Sequence, residues 1–141
     1  MSTRCQVKVV QEGLSWEQAV TLYHHCDGYP SNMVPLIQRA HTEACEALPE
    51  PHQRCALGRA GKVAAQLCAT EPDGFEPEEG HELHGDIEFY YVVTLLNTKG
   101  GTLAEEPTWL LTVYEDPPTL KRALCDRAPL MTVDGDALEA A

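Results

Sequence analysis

Apolar and polar positions alternate over residues 4–10, Arg-Cys-Gln-Val-Lys-Val-Val. Cys5, Val7 and Val9 fall on one side of an extended chain, and Gln6 and Lys8 on the other. This is the period of a half-buried strand. Gln11-Glu12-Gly13-Leu14-Ser15 has turn composition, and residues 18–25 read as a second strand. So short a connection predicts an antiparallel hairpin. Asp27-Gly28-Tyr29-Pro30 stops it, because Asp-Gly favours positive φ and proline cannot continue a ladder.

The period then changes. Val34, Ile37, Ala40 or His41, Ala44 and Leu48 recur at three- and four-residue spacing, which predicts a helix. Ser31 or Asn32 is its expected cap, with Pro35 tolerated in the first turn. Pro49-Glu50-Pro51 ends it. A second helix is expected from His52 or Gln53, with Ala56, Ala60, Val63, Ala64 and Leu67 as its stripe. Gly58 and Gly61 weaken that helix and would permit close packing.

Residues 71–85 hold two prolines and three glycines and read as loop. Residues 86–96 carry the strongest alternation. Ile87, Phe89, Tyr91, Val93 and Leu95 share one face; Asp86, Glu88, Tyr90, Val92 and Thr94 share the other. Residues 108–114 predict a further strand with Trp109, Leu111 and Val113 inward. Residues 119–127 suit a short amphipathic helix. The expected fold is α+β: an antiparallel sheet of about four strands, in β-β-α-α-β-β order, with helices on one face. Residues 1–127 are expected to form one domain, and residues 128–141 a flexible acidic tail.

Composition adds to this mainly through charge. The 141 residues carry a formal net charge of −12. Residues 1–70 balance six acids with six bases, whereas residues 71–141 hold sixteen acids against four bases. The excess disfavours direct contact with nucleic-acid phosphates and suits a basic protein partner. No apolar run approaches the ~20 residues that span a bilayer, and residues 1–8 have no signal-peptide core. A cytoplasmic protein without membrane contact is expected, and a sheet face or edge offers a route to a homo-oligomer. The six cysteines lack any Cys-x-x-Cys pair, and most of them read as free, buried thiols.

Two segments carry candidate chemistry. Tyr23-His24-His25-Cys26-Asp27-Gly28-Tyr29-Pro30 sets two imidazoles, a thiol and a carboxylate at a strand end. Neighbours on a strand point to opposite faces, so His25 and Cys26 need a sharp turn to act as base and nucleophile. The stretch Glu71–Glu88 holds eight carboxylates and two histidines with no lysine or arginine. Within it His81, His84, Asp86 and Glu88 have the ligand types of a divalent-metal site, although no established metal motif is present. Phosphate-loop, dinucleotide and serine-hydrolase motifs are absent.

The His-x-x-Asp-Gly-Tyr-Pro window at residues 24–30 and the Gly-Asp-Ile-Glu-Phe-Tyr-Tyr window at residues 85–91 together resemble small uncharacterised proteins of bacteria and their phages. The resemblance implies no activity. It implies a mobile-element setting, and it suggests that His24, His25, Asp27, Tyr29, Asp86 and Glu88 share one binding site. The leading expectation is thus a non-enzymatic interaction module for a basic protein, such as a modulator of a host protein. A metal-binding domain or small metal-dependent enzyme is the alternative. A third is a ligand-binding sheet face formed by Tyr23, Tyr29 and Tyr90.

Overall fold

The computed structural model describes residues 3–11, 19–25, 27–48, 50, 59–78, 87–96, 108–115 and 131–133. Among them the chain forms β1 (Arg4–Gln11), β2 (Val20–His24), α1 (Pro30–Ala47), α2 (Ala60–Thr70), β3 (Phe75–Glu78), β4 (Ile87–Leu96), β5 (Thr108–Glu115) and β6 (Met131–Val133). The strands make one sheet in the order β3-β2-β1-β4-β5-β6. The α+β class is as the periodicity predicts. The sheet differs in size and direction.

The expected antiparallel four-strand sheet is instead a mixed six-strand sheet, because β1 pairs with β4 in parallel. The other neighbours are antiparallel. Two short strands were not signalled by alternation. Phe75–Glu78 lies in the stretch that reads as loop, and Met131–Val133 lies in the stretch that reads as a tail. Both sit on the sheet's outer edges, where pairing to one neighbour asks little of the side chains. The helix expected over residues 119–127 lies outside the described residues.

Pro77 fits at its edge for a definite reason. The His25 N–H donates to the Gly74 carbonyl at 3.4 Å. Hydrogen-bonded and open pairs alternate along an antiparallel ladder, so Leu22 and Pro77 form an open pair. The nitrogen of Pro77 therefore faces away from β2, where no donor is needed.

The helices cover one face of the sheet. Met33, Leu36, Ile37, Ala40 and Ala44 of α1, with Val63, Ala64 and Leu67 of α2, pack in one core with Val7, Val9, Leu22, Tyr91, Val93, Trp109 and Leu111. The start of α1 differs from its sequence expectation. Its N-cap is Tyr29, Pro30 opens the helix, and neither Ser31 nor Asn32 caps it. Asn32 instead donates from Nδ2 to the Asp27 carbonyl at 2.8 Å. Pro35 consequently stands one turn further in than expected, where it removes a helix hydrogen bond. A Cβ built on Gly61 meets nothing within 4 Å, so this glycine serves no close helix contact.

The second face is buried too, which alternation did not foresee. Gln6 and Lys8 are 0% exposed, and Thr21, Tyr23, Tyr90, Val92 and Tyr114 are also buried. A strand that pairs in parallel at the centre of a sheet is normally covered on both sides. Here that coverage encloses polar side chains as well as apolar ones. Ile87 also changes sides. The register slips between Arg4↔Ile87 and Cys5↔Phe89, leaving Glu88 as an extra residue. Such a bulge reverses the alternation before it. Ile87 accordingly clusters with Tyr23, Tyr90, Val92 and Tyr114, while Phe89 packs with the helix-side core. No helix among the described residues is long and apolar enough to cross a membrane.

The contrast between Leu22 and Gly61 is testable by denaturant unfolding. Leu22→Ala opens a void in the helix-side core and is expected to cost about 2–5 kcal/mol. Gly61→Ala meets open space in a helix and is expected to stabilise by about 0.5–1 kcal/mol.

Candidate functional site

The strand directions collect the candidate residues at one end of the sheet. Cys5 lies opposite both His24 and Phe89, His24 opposite Phe75, and Phe89 opposite Glu115. The end of β2 therefore meets the starts of β1, β3 and β4 and the end of β5. His25, Asp27, Tyr29, Asp73, Glu76, Glu88, Glu115 and Arg4 are all exposed there. At the opposite end, Gln11 Oε1 accepts from the Ala60 N–H at 2.9 Å. That bond sets the start of α2, with exposed Arg59 and Lys62, far from the acidic end.

The turn after β2 is fixed by its neighbours. Asp27 adopts φ 53°, a left-handed conformation that aspartate tolerates better than most residues. Gly28 is needed for close approach: an added Cβ would sit 3.0 Å from both Cys5 Cβ and the Thr3 carbonyl oxygen. Its N–H donates to the Thr3 carbonyl at 2.8 Å. Its own carbonyl accepts the Tyr91 hydroxyl at 2.6 Å in a buried bond. Tyr29 follows, and its carbonyl accepts the N–H groups of Asn32 and Met33 at 2.9 Å each. The Tyr29 ring tilts against Phe89 with centroids 5.9 Å apart. The windows at residues 24–30 and 85–91 thus touch at Gly28–Tyr91 and at Tyr29–Phe89.

The two histidines part company at the strand end, as alternation requires. His24 points into the helix side and is fully buried. Its Nε2–H donates to Glu71 Oε1 at 2.8 Å, and its ring stands edge-on to Phe75 at 4.8 Å. Among the described residues Nδ1 has no hydrogen-bond partner. Gly74 makes room for the pair, since a Cβ there would run into Glu71 Oε1 and come within 2.6 Å of His24 Nε2. His25 points to the other side, 3.0 Å from Glu76 Oε2 and edge-on to Tyr23 at 4.8 Å. Both partners of that ion pair are more than half exposed, so it contributes little to stability.

Of the six residues expected to share a binding site, His25, Asp27, Tyr29 and Glu88 are exposed at this end. His24 is inside, held by Glu71. Asp86 lies outside the described residues, as do Cys26, His81 and His84. Of the four expected metal ligands, only Glu88 is described, and it is exposed on its bulge. Among the described residues no three His, Cys, Asp or Glu side chains are grouped to hold a metal ion.

The tyrosine face also divides. Tyr23 and Tyr90 flank Gln6 across β2, β1 and β4, while Tyr29 stands at the sheet end instead. Tyr114, directly opposite Tyr90, completes that buried row. Burial, reinforced by Tyr114, pushes the Tyr90 phenol well above its ordinary 10.0. Burial, with Cys5 beside it, does the same for Tyr91. Cys5, Cys45 and Cys68 are free thiols, and burial raises that of Cys68.

Sequence reasoning missed Glu71 as the partner of His24 and Phe89 as the support of Tyr29. Neither had a local signal, because the partners are 47 and 60 residues apart in the chain. Tyr114 was within reach: it alternates with Trp109, Leu111 and Val113 and so belongs on the opposite face.

No protein-family model, no curated protein and no solved structure matches the chain.

Two outcomes follow from these contacts. Gly74→Ala forces the His24–Glu71 pair apart and is expected to cost about 1–3 kcal/mol in unfolding free energy. A cost below about 0.5 kcal/mol would mean that the pair yields freely. For the raised phenols, the folded state holds the proton more tightly than the unfolded one. Their stability contribution is fully present below about pH 10 and is lost as pH rises above it. Tyr90→Phe should therefore flatten the alkaline fall in stability measured by denaturant titration at stepped pH.

Proposed function

We propose that this chain is a non-enzymatic interaction module that engages a basic surface of another protein through the acidic end of its sheet. The observation that carries this reading is the concentration of exposed carboxylates at that end. Asp27, Asp73, Glu76, Glu88 and Glu115 come from four separate segments of the sequence, and all are exposed at the end of the sheet where Tyr29 is also exposed. A mainly negative field of this kind attracts a partner of opposite charge and orients it before contact. It repels nucleic-acid phosphate. The buried His24–Glu71 pair is read as structural, since a fully enclosed imidazole has no approach for a substrate.

Acids elsewhere provide the internal control. Glu43, Glu46 and Glu50 lie in and after the last turns of α1, which leaves the acidic end at Pro30. At 1.5 Å per residue they stand about 20 Å or more from Tyr29. Binding of a hexa-arginine peptide, followed by titration calorimetry, is expected to weaken at least about tenfold between ~0.05 and ~0.5 M salt. The triple variant Asp73→Asn, Glu76→Gln, Glu115→Gln should weaken it far more than Glu43→Gln, Glu46→Gln, Glu50→Gln. Equal losses in the two variants, or binding indifferent to salt, would sink the reading.

A further inference from the structure

We infer that the outer edge of β3 is built to refuse strand addition, so that two copies of this chain do not join their sheets through it. β3 is the outermost strand of the described sheet at this side and pairs with β2 alone. An outermost strand offers its unused N–H and C=O groups to another strand, and a second copy of the same chain is the partner always at hand. Phe75-Glu76-Pro77-Glu78 opposes this in two independent ways, one through the backbone and one through charge.

The bond from the His25 N–H to the Gly74 carbonyl fixes the phase of the β2–β3 ladder. Glu76 and Glu78 turn their backbone groups towards β2, while Phe75 and Pro77 turn theirs outward. Pro77 has no N–H, so Phe75 holds the one outward donor within the strand. A strand laid along this edge meets an exposed proline ring where its next donor should be.

Charge closes the registers that remain. Two β3 strands related by a two-fold axis pair antiparallel, and only Phe75 and Pro77 face outward to be matched. Phe75 opposite Pro77 sets the two Glu76 side chains opposite each other. Pro77 opposite Pro77 sets each Glu76 against the other copy's Glu78. Like charges directly opposite destabilise a strand pair. Phe75 opposite Phe75 avoids the clash, but it overlaps the two strands at that residue alone, which is too short for a ladder.

The test compares variants of the full chain by sedimentation equilibrium over a concentration series, with hydrogen exchange of residues 71–78 as the reporter of place. In the triple variant Glu76→Thr, Pro77→Thr, Glu78→Thr both barriers are gone, and threonine favours a strand. Its mean mass is expected to rise about twofold above that of the wild-type chain as concentration increases, the step of a two-fold dimer. Residues 71–78 should gain exchange protection over the same range. Glu76→Thr with Glu78→Thr, which keeps Pro77, should match the wild type. Glu43→Gln with Glu46→Gln, which removes the same charge elsewhere, should match it too. Pro77→Thr alone restores the donor but keeps the acids, so its mass should rise only as salt screens them. This single exposed change carries the test should the triple variant fail to fold, as judged by thermal melts. A folded triple variant of wild-type mass, association without added protection in residues 71–78, or a Pro77→Thr chain indifferent to salt overturns the inference.

Discussion

The parallel pairing of β1 with β4 is the constraint on which the rest of this structure depends. It puts two strands that are distant in sequence side by side at the centre of the sheet. A parallel pair cannot be joined by a tight turn, so β2, both helices and β3 occupy the connection between them. It also demands cover on both faces. The same pairing brings the start of β4 to the turn after β2, where Tyr91 holds Gly28 and Phe89 supports Tyr29. Without it, the acids of the first and second halves of the chain would not meet.

The second face of the sheet shows what that constraint entails energetically. Burying a polar or charged side chain is costly unless it is satisfied. Gln6, Lys8, Tyr23 and Tyr114 each engage a partner, as this cost requires. Their alignment across strands ties the register to side-chain chemistry: Tyr23, Gln6, Tyr90 and Tyr114 lie in one row, and Thr21, Lys8 and Val92 in the next. Slipping β1 by one residue would carry Lys8 into the helix-side core and expel Val7 and Val9 from it. The polar row thus reinforces the register that the apolar face already favours.

The end of the sheet follows a different logic. There the ladder stops, and alternation sends adjacent residues to opposite fates. His24 is enclosed with Glu71, while His25 remains in solvent with Glu76. A pair of neighbouring histidines invites a reading as one site, but a strand separates them by its own geometry. What gathers at this end is instead a set of exposed carboxylates.

Much of the fold was legible from local periodicity. β1, β2, β4, β5 and α1 follow from alternation or helical spacing, because each buries a continuous face of its own side chains. The charge asymmetry could also be read from residue type and position. β3 and β6 could not, since short edge strands owe their form to the neighbour they pair with. The parallel register, the burial of Lys8 and Gln6, and the reversal of Ile87 at the Glu88 bulge were equally out of reach. Periodicity states which residues share a face but not what that face meets. The sequence by itself determined the long elements and the sign of the net charge; the tertiary structure alone decided which elements became neighbours, because that depends on contacts between residues far apart in the chain.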